Sequence, residues 1–324
     1  MSPNIKGALL ALLAFAIFAT HDVFVKTLGA VYSPFQIVFF SVLFSFPLAM
    51  IVLMRDAQPG TLVPRHPWWM ALRTASAVTT AICAFYAFTV LPLAQTYAIL
   101  FAAPLLITIL AIPVLGEKVR LRRWMAVLVG LTGVLVVLRP GSTDLTLGHA
   151  AALAAAVGSS LASIIVRRIG ADERPIVMLI YPLMANFILM GGALYFVYKP
   201  MPIEHLALVA LVAAFAWVAN RCIIAAYQSG EAAIIAPMQY SQIIWAALFG
   251  ALLFDENIDR GTLIGASIII ASGLYIVLRE SKAEDTSTTP VLRTRSRHET
   301  GTYMRAGPVL RWIGRHPDNQ SQSK

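Results

Sequence analysis

Apolar runs of roughly 17 to 25 residues recur along this chain, and that is the length an α-helix needs to cross the hydrocarbon core of a bilayer. Ten can be read, near residues 7–27, 34–54, 68–90, 94–115, 124–138, 149–166, 176–198, 206–227, 232–254 and 262–278. Hydrocarbon offers backbone amides no partner, so spans of this kind must be helices that bond internally. The expected fold class is all-α integral membrane, with ten transmembrane helices. Composition agrees, because 58% of the 324 residues are hydrophobic and only 13% are charged, unlike a soluble domain of this length. The first run is too long for a signal-peptide core and further spans follow it, so it is expected to remain as a helix.

The formal net charge of +9 does not point to nucleic acid, since the basic residues sit in short loops and in the tail rather than over a soluble face. Their distribution reports topology. With a cytoplasmic N-terminus, the inner loops and the N-terminal segment before the tail hold ten Lys and Arg, whereas the outer loops hold only Arg139, Lys199 and Arg260. Both termini are then cytoplasmic, in a bacterial inner membrane. The tail, residues 280–324, is basic and lacks apolar periodicity, which predicts a disordered cytoplasmic segment. Cys83 and Cys222 lie in apolar runs without a CxxC spacing and read as reduced packing residues.

Sliding the chain over itself by 139 to 141 positions lays "AICAFYAF" (81–88) over "NRCIIAAY" (220–227). The same slide brings "VLGEKV" (114–119) over "LFDENI" (253–258), superposing Glu117 and Glu256, and "GLTGVLVVLRP" (130–140) over "IIASGLYIVLRE" (269–280). Each half has five spans. Five is odd, so the second copy must cross the membrane in the opposite sense, an architecture that secondary transporters use with a substrate site at the midplane.

The segment "LPLAQTYAILFAAPLLITILAIPVLGEKVRLRRWMAVLVGLTGVLVVLRPG" (91–141) resembles the signature end of the EamA repeat of the drug/metabolite transporter superfamily. It has a proline-bearing fourth span, a Gly-Glu at the span's end and a glycine-spaced fifth span. Residues 148–278 resemble a second, weaker copy. The resemblance implies a first EamA repeat at 1–141, a second at 148–278, and a secondary transporter working by alternating access. The opening "KGALLALLAFAIFATHDVFVKTLG" (6–29) is most similar to the branch that contains riboflavin importers, which makes riboflavin uptake the favoured cargo. Export of amino acids or drugs, and import of S-adenosylmethionine or another metabolite, are the alternatives the superfamily offers. An intramembrane enzyme and a non-transporting receptor are remoter readings. The implied partners are a small-molecule substrate and the lipid bilayer, with a homodimer left open and nucleic acid excluded.

Charges near mid-bilayer cost at least about 2.5 to 3.5 kcal/mol each on insertion scales, so those present need a reason. In "FATHDVFVKT" (18–27), Asp22 and Lys26 are four apart and share a helix face, which predicts an ion pair along the helix. Asp22, with His21 beside it, is equally a candidate for substrate contact or proton exchange. Asn220 and Arg221 interrupt the eighth span, and Arg221 is either a partner of Glu231, the favoured reading, or an anchor for an anionic group. Arg73, shortly after the Trp68-Trp69 doublet, reads as interfacial, and the tryptophans as an aromatic belt. Gln239, Tyr240 and Gln242 follow Pro237 in the ninth span, and Gln95 and Tyr97 precede Pro104 in the fourth. Proline frees a carbonyl, and polar groups beside such breaks suggest a cavity lining. Tyr86, Tyr97, Trp217 and Tyr240 offer flat surfaces for a ring-shaped solute. Glu117 and Glu256 read as caps and loop organisers, and Gly130, Gly133, Gly265 and Gly273 as close helix contacts. No Walker loop, HExxH, GxSxG or Cys/His metal spacing occurs, so neither a cofactor nor an enzyme activity is expected.

Overall fold

The computed structural model describes residues 3–54, 61–116, 121–139, 145–230 and 232–284. Glu117, Glu231 and the tail from 285 onward lie outside the described residues. The helices are α1 (Pro3–Gly29), α2 (Pro34–Met54), α3 (Pro67–Val90), α4 (Leu93–Leu100), α5 (Ala103–Leu115), α6 (Leu121–Leu138), α7 (Leu147–Ile169), α8 (Pro175–Val197) and α9 (Ile203–Ser229). A single turn, α10 (Ala232–Ile235), then leads through a 3₁₀ segment, Ala236–Tyr240, into α11 (Ser241–Phe254), and α12 (Arg260–Glu284) ends the described chain. With α4 and α5 taken as one segment and Ala232–Phe254 as another, these are the ten spans of the sequence reading. Seven described segments are long and apolar enough to cross a membrane by length and composition, and Trp124–Leu138 and Arg260–Ile276 are shorter apolar helices.

Prolines set many of the starts. Pro34, Pro67 and Pro175 open α2, α3 and α8, where the first-turn amide has no helical partner and its loss costs nothing. Gly116 closes α5 with φ of 70°, a left-handed conformation that glycine adopts without strain. Two spans that hydropathy treats as continuous are broken. The fourth turns at Phe101 and Ala102, just before Pro104, and the ninth narrows to the 3₁₀ segment that contains Pro237. Both breaks have the same cause, a proline that cannot donate to the preceding turn.

Helices pack in a pattern that the two halves exchange. α1 runs along α9 and α3 along α7, while α6 pairs with α12 and α2 with α8. Matching the halves element by element turns the first of these pairs into the second and returns the other two to themselves. Glycines carry the closest approach. A Cβ on Gly133 would lie 2.9 Å from the Gly265 carbonyl oxygen, and one on Gly265 would lie 2.5 Å from that of Gly133, so α6 and α12 meet backbone to backbone. Gly130 is likewise filled by Leu105 and Ser272, and Gly273 by the Tyr240 hydroxyl.

Large apolar side chains such as Leu9, Leu13, Leu128, Leu135, Ile188 and Leu252 are exposed on the outside of the bundle. Such a surface fits lipid rather than water. Trp68 is exposed as an interfacial belt residue would be, whereas Trp69 lies under the Arg168 guanidinium, 4.5 Å from the ring centroid. Arg73 lies in the second turn of α3. It is buried, and its Nη1 donates to the Met178 carbonyl on α8 at 2.6 Å. The two cysteines are free and half-buried.

Candidate functional site

Asp22 lies on α1 with only 7% of its surface exposed. One carboxylate oxygen is 2.7 Å from His21 Nδ1, and the other accepts from the Tyr97 hydroxyl on α4. Gln242, at the start of α11, donates from Nε2 to the same Tyr97 oxygen at 3.3 Å. The carboxylate therefore sits on α1 beside the place where the two broken spans, α4 and α11, pack against each other. A buried carboxylate is tolerated only when its oxygens are hydrogen-bonded, and here a ring nitrogen and a phenol do that.

Aromatic rings extend from this point. Phe88 and Tyr97 centroids are 5.3 Å apart, Tyr97 and Phe101 5.9 Å, and Phe101 and Tyr240 5.1 Å, the last at nearly right angles. Phe85 meets the His21 ring edge-on at 6.1 Å. These contacts bring Tyr240 into one buried aromatic series with Tyr97.

Lys26 corrects the expected pairing. Although Asp22 is one turn below it, Lys26 Nζ lies 2.6 Å from Glu256 Oε1, and it also donates to the Leu91 carbonyl at 2.5 Å. The second Glu256 oxygen accepts the Leu93 N–H at 2.9 Å, so Glu256 caps the start of α4 as well as binding the lysine. Gly250 makes room for it, since a Cβ there would be 2.7 Å from Glu256 Oε2. A small cavity of about 30 Å³ adjoins this layer, lined by Pro92, Gln95, Ala246, Gly250, Glu256 and Thr262 among others.

The remaining candidates divide. Gln95 meets His149 on α7 through its amide at 3.1 Å, and His149 Nδ1 accepts the Thr146 N–H, so that ring also completes the cap of α7. Gln239 is half-buried in the 3₁₀ segment. Tyr86 is half-buried, and its backbone carbonyl accepts from Thr89. Trp217 and Arg221 pair with each other, the guanidinium 5.7 Å from the ring centroid, and both are exposed on α9. Asn220 bonds back to the Ala216 carbonyl of its own helix at 2.9 Å. No described contact joins these last four to Asp22.

Phe101, Phe85 and the Lys26–Glu256 bond were not legible as site features. Phe101 looks like any span residue, and Glu256 is 230 positions from Lys26 in sequence. Superposition of Glu256 on Glu117 was the one signal that singled it out. Among the described residues, no group of three or more His, Cys, Asp or Glu side chains is placed to hold a metal ion.

A model of the EamA-like transporter family matches the chain twice, over residues 5–139 and 146–278. The chain is 26% identical over 272 residues to an S-adenosylmethionine uptake transporter of Rickettsia bellii, covering 84% of this chain and 93% of that one. A riboflavin transporter of Rhizobium johnstonii is 24% identical over 246 residues, 76% and 80% of the two chains. A protein of known crystal structure, 20% identical, superposes with a TM-score of 0.56 over 87% of this chain and 98% of its own. That last likeness is one of fold.

Proposed function

The chain belongs to the EamA-like transporter family, and we propose that it carries a small, positively charged metabolite of the S-adenosylmethionine type into the bacterial cell. It moves a small metabolite across a membrane by secondary transport. Residues 1–141 and 148–278 act as two inverted five-helix halves, both termini face the cytoplasm, and one half rocks against the other around a central site.

The observation that carries the choice of cargo is the buried Asp22 carboxylate at the meeting of the two broken spans. A sulfonium or α-ammonium group is attracted to a carboxylate in a low-dielectric interior far more strongly than in water. Tyr97, Phe101 and Tyr240 add faces and edges for a purine ring. Riboflavin has no cation to place against Asp22, so the carboxylate gives it no anchor. Its support is the more distant similarity to the Rhizobium protein.

Cells expressing the chain should take up labelled S-adenosylmethionine saturably, above an empty-vector control, and unlabelled S-adenosylmethionine should compete while riboflavin should not. Saturable riboflavin uptake with no S-adenosylmethionine uptake, in membranes shown to contain the protein, reverses the assignment of cargo.

A further inference from the structure

Three helices present the same two layers. On α1, Asp22 and Lys26 are one turn apart. On α4, Tyr97 and Leu93 are one turn apart, and on α11 Gln242, Ala246 and Gly250 follow each other at single turns along one face. Asp22, Tyr97 and Gln242 join in the lower layer. Lys26, the Leu93 amide and Glu256, seated against Gly250, join in the upper one. Glu256 belongs to the second half of the chain and Lys26 and Leu93 to the first, so the upper layer ties the two halves together directly above the Asp22 carboxylate.

We infer that the Lys26–Glu256 pair is the gate on this face of the transporter, and that Lys26 passes from Glu256 to Asp22 when the gate opens. Opening this face requires the loop that carries Glu256 to leave α1 and α4, which breaks the ion pair and the Leu93 cap together. Lys26 then loses its carboxylate in a partly buried place, its side chain being 13% exposed. Long helical side chains lean toward the N-terminus of their own helix, and one turn in that direction stands Asp22. The empty, open site is thereby neutralised by its own lysine. A solute cation that takes Asp22 releases Lys26 to Glu256, and the gate closes over the bound solute. This last step rests on the proposed class of cargo; the gate itself does not.

Ala246 reports the gate without any substrate. It is 1% exposed, lines the small cavity, and sits on α11 between the two layers. In a background carrying Cys83→Ala and Cys222→Ala, Ala246→Cys is treated with a membrane-impermeant thiol reagent on intact spheroplasts and on inside-out vesicles. Labelling should be slow and confined to one of the two preparations. Glu256→Gln and Lys26→Gln should each speed it about tenfold, the effect expected for losing one charge-assisted hydrogen bond from the closed state. The double variant should be no faster than either single one, because both remove the same bond. Asp22→Asn should slow labelling, since it withdraws the position that Lys26 occupies in the open state. Rates that multiply in the double variant, or equal labelling in all variants, overturn the gate. Faster labelling in Asp22→Asn overturns the transfer of Lys26, and the Lys26–Glu256 cycle decides the gate even if the Asp22 variant does not fold. Failure to transport S-adenosylmethionine leaves these rates untouched and bears only on the cargo.

Discussion

Lys26 Nζ and Glu256 Oε1 are 2.6 Å apart across the two halves of the chain, while Asp22, one turn from Lys26 on the same helix, is held instead by His21 and Tyr97. Two carboxylates and one lysine are thus sorted into separate layers. Local spacing made Asp22 the natural partner of Lys26, but an i,i+4 pair on an isolated helix is worth only about 0.2 to 0.5 kcal/mol. Glu256 offers more in this fold, because binding the lysine and capping α4 are done by one side chain at once.

The pair is partly buried, with the two side chains 13% and 16% exposed. Removing one partner leaves the other charge uncompensated, a cost of about 3 to 5 kcal/mol for fully buried pairs and less here. Lys26→Met and Glu256→Gln should each lower the melting temperature in detergent, and combining them should recover part of the loss. Additive losses in thermal unfolding followed by tryptophan fluorescence refute the pairing.

Asp22→Asn keeps the shape of the side chain and removes its charge. Uptake of a cationic solute should fall at least about tenfold, the loss expected when a charged hydrogen-bonding partner goes, with membrane expression unchanged. Tyr97→Phe removes one donor to the carboxylate and should raise KM by a smaller factor with little change in maximal rate. Initial-rate uptake across a range of solute concentrations separates the two variants. Full uptake by Asp22→Asn assigns the carboxylate a structural role.

The sequence carried the spans well and the contacts between them poorly, for physical reasons. Length and apolarity are properties of a continuous segment, so α1, α3 and α7 could be read directly. Pro104 and Pro237 marked the two breaks, but a proline in a span kinks it, shifts it to 3₁₀ or interrupts it according to its neighbours, and hydropathy cannot choose among these. Asp22, Tyr97 and Gln242 were legible as polar residues beside prolines. Their meeting depends on how α4 and α11 pack, which no local pattern encodes.

Tyr240 and Gly273 make a steric test of the 3₁₀ segment. A Cβ at Gly273 would fall on the Tyr240 hydroxyl and lie 2.9 Å from its Cζ. Gly273→Ala should therefore displace the ring from Phe101 and destabilise the protein by about 1 to 3 kcal/mol, the usual cost of overpacking. Tyr240→Phe in the same chain removes the obstructing oxygen and should restore part of the stability. The double variant melting no higher than Gly273→Ala alone counts against this contact.

Gly265 and Gly192 should respond to the same substitution in opposite directions. At Gly265 the added methyl meets the Gly133 backbone oxygen and Val137 Cγ2 at 2.5 Å, and backbone cannot rotate aside as a side chain can. Gly265→Ala must push α6 and α12 apart and should lower stability more than Gly273→Ala does. At Gly192, inside α8, nothing lies within 4 Å of the added methyl. Replacing a helical glycine by alanine in open space restricts the unfolded chain at no steric cost and favours the helix by about 0.5 to 1 kcal/mol. Gly192→Ala should raise the melting temperature slightly with uptake unchanged. Thermal unfolding of both variants side by side checks the pair, and a stabilised Gly265→Ala overturns the close contact between α6 and α12.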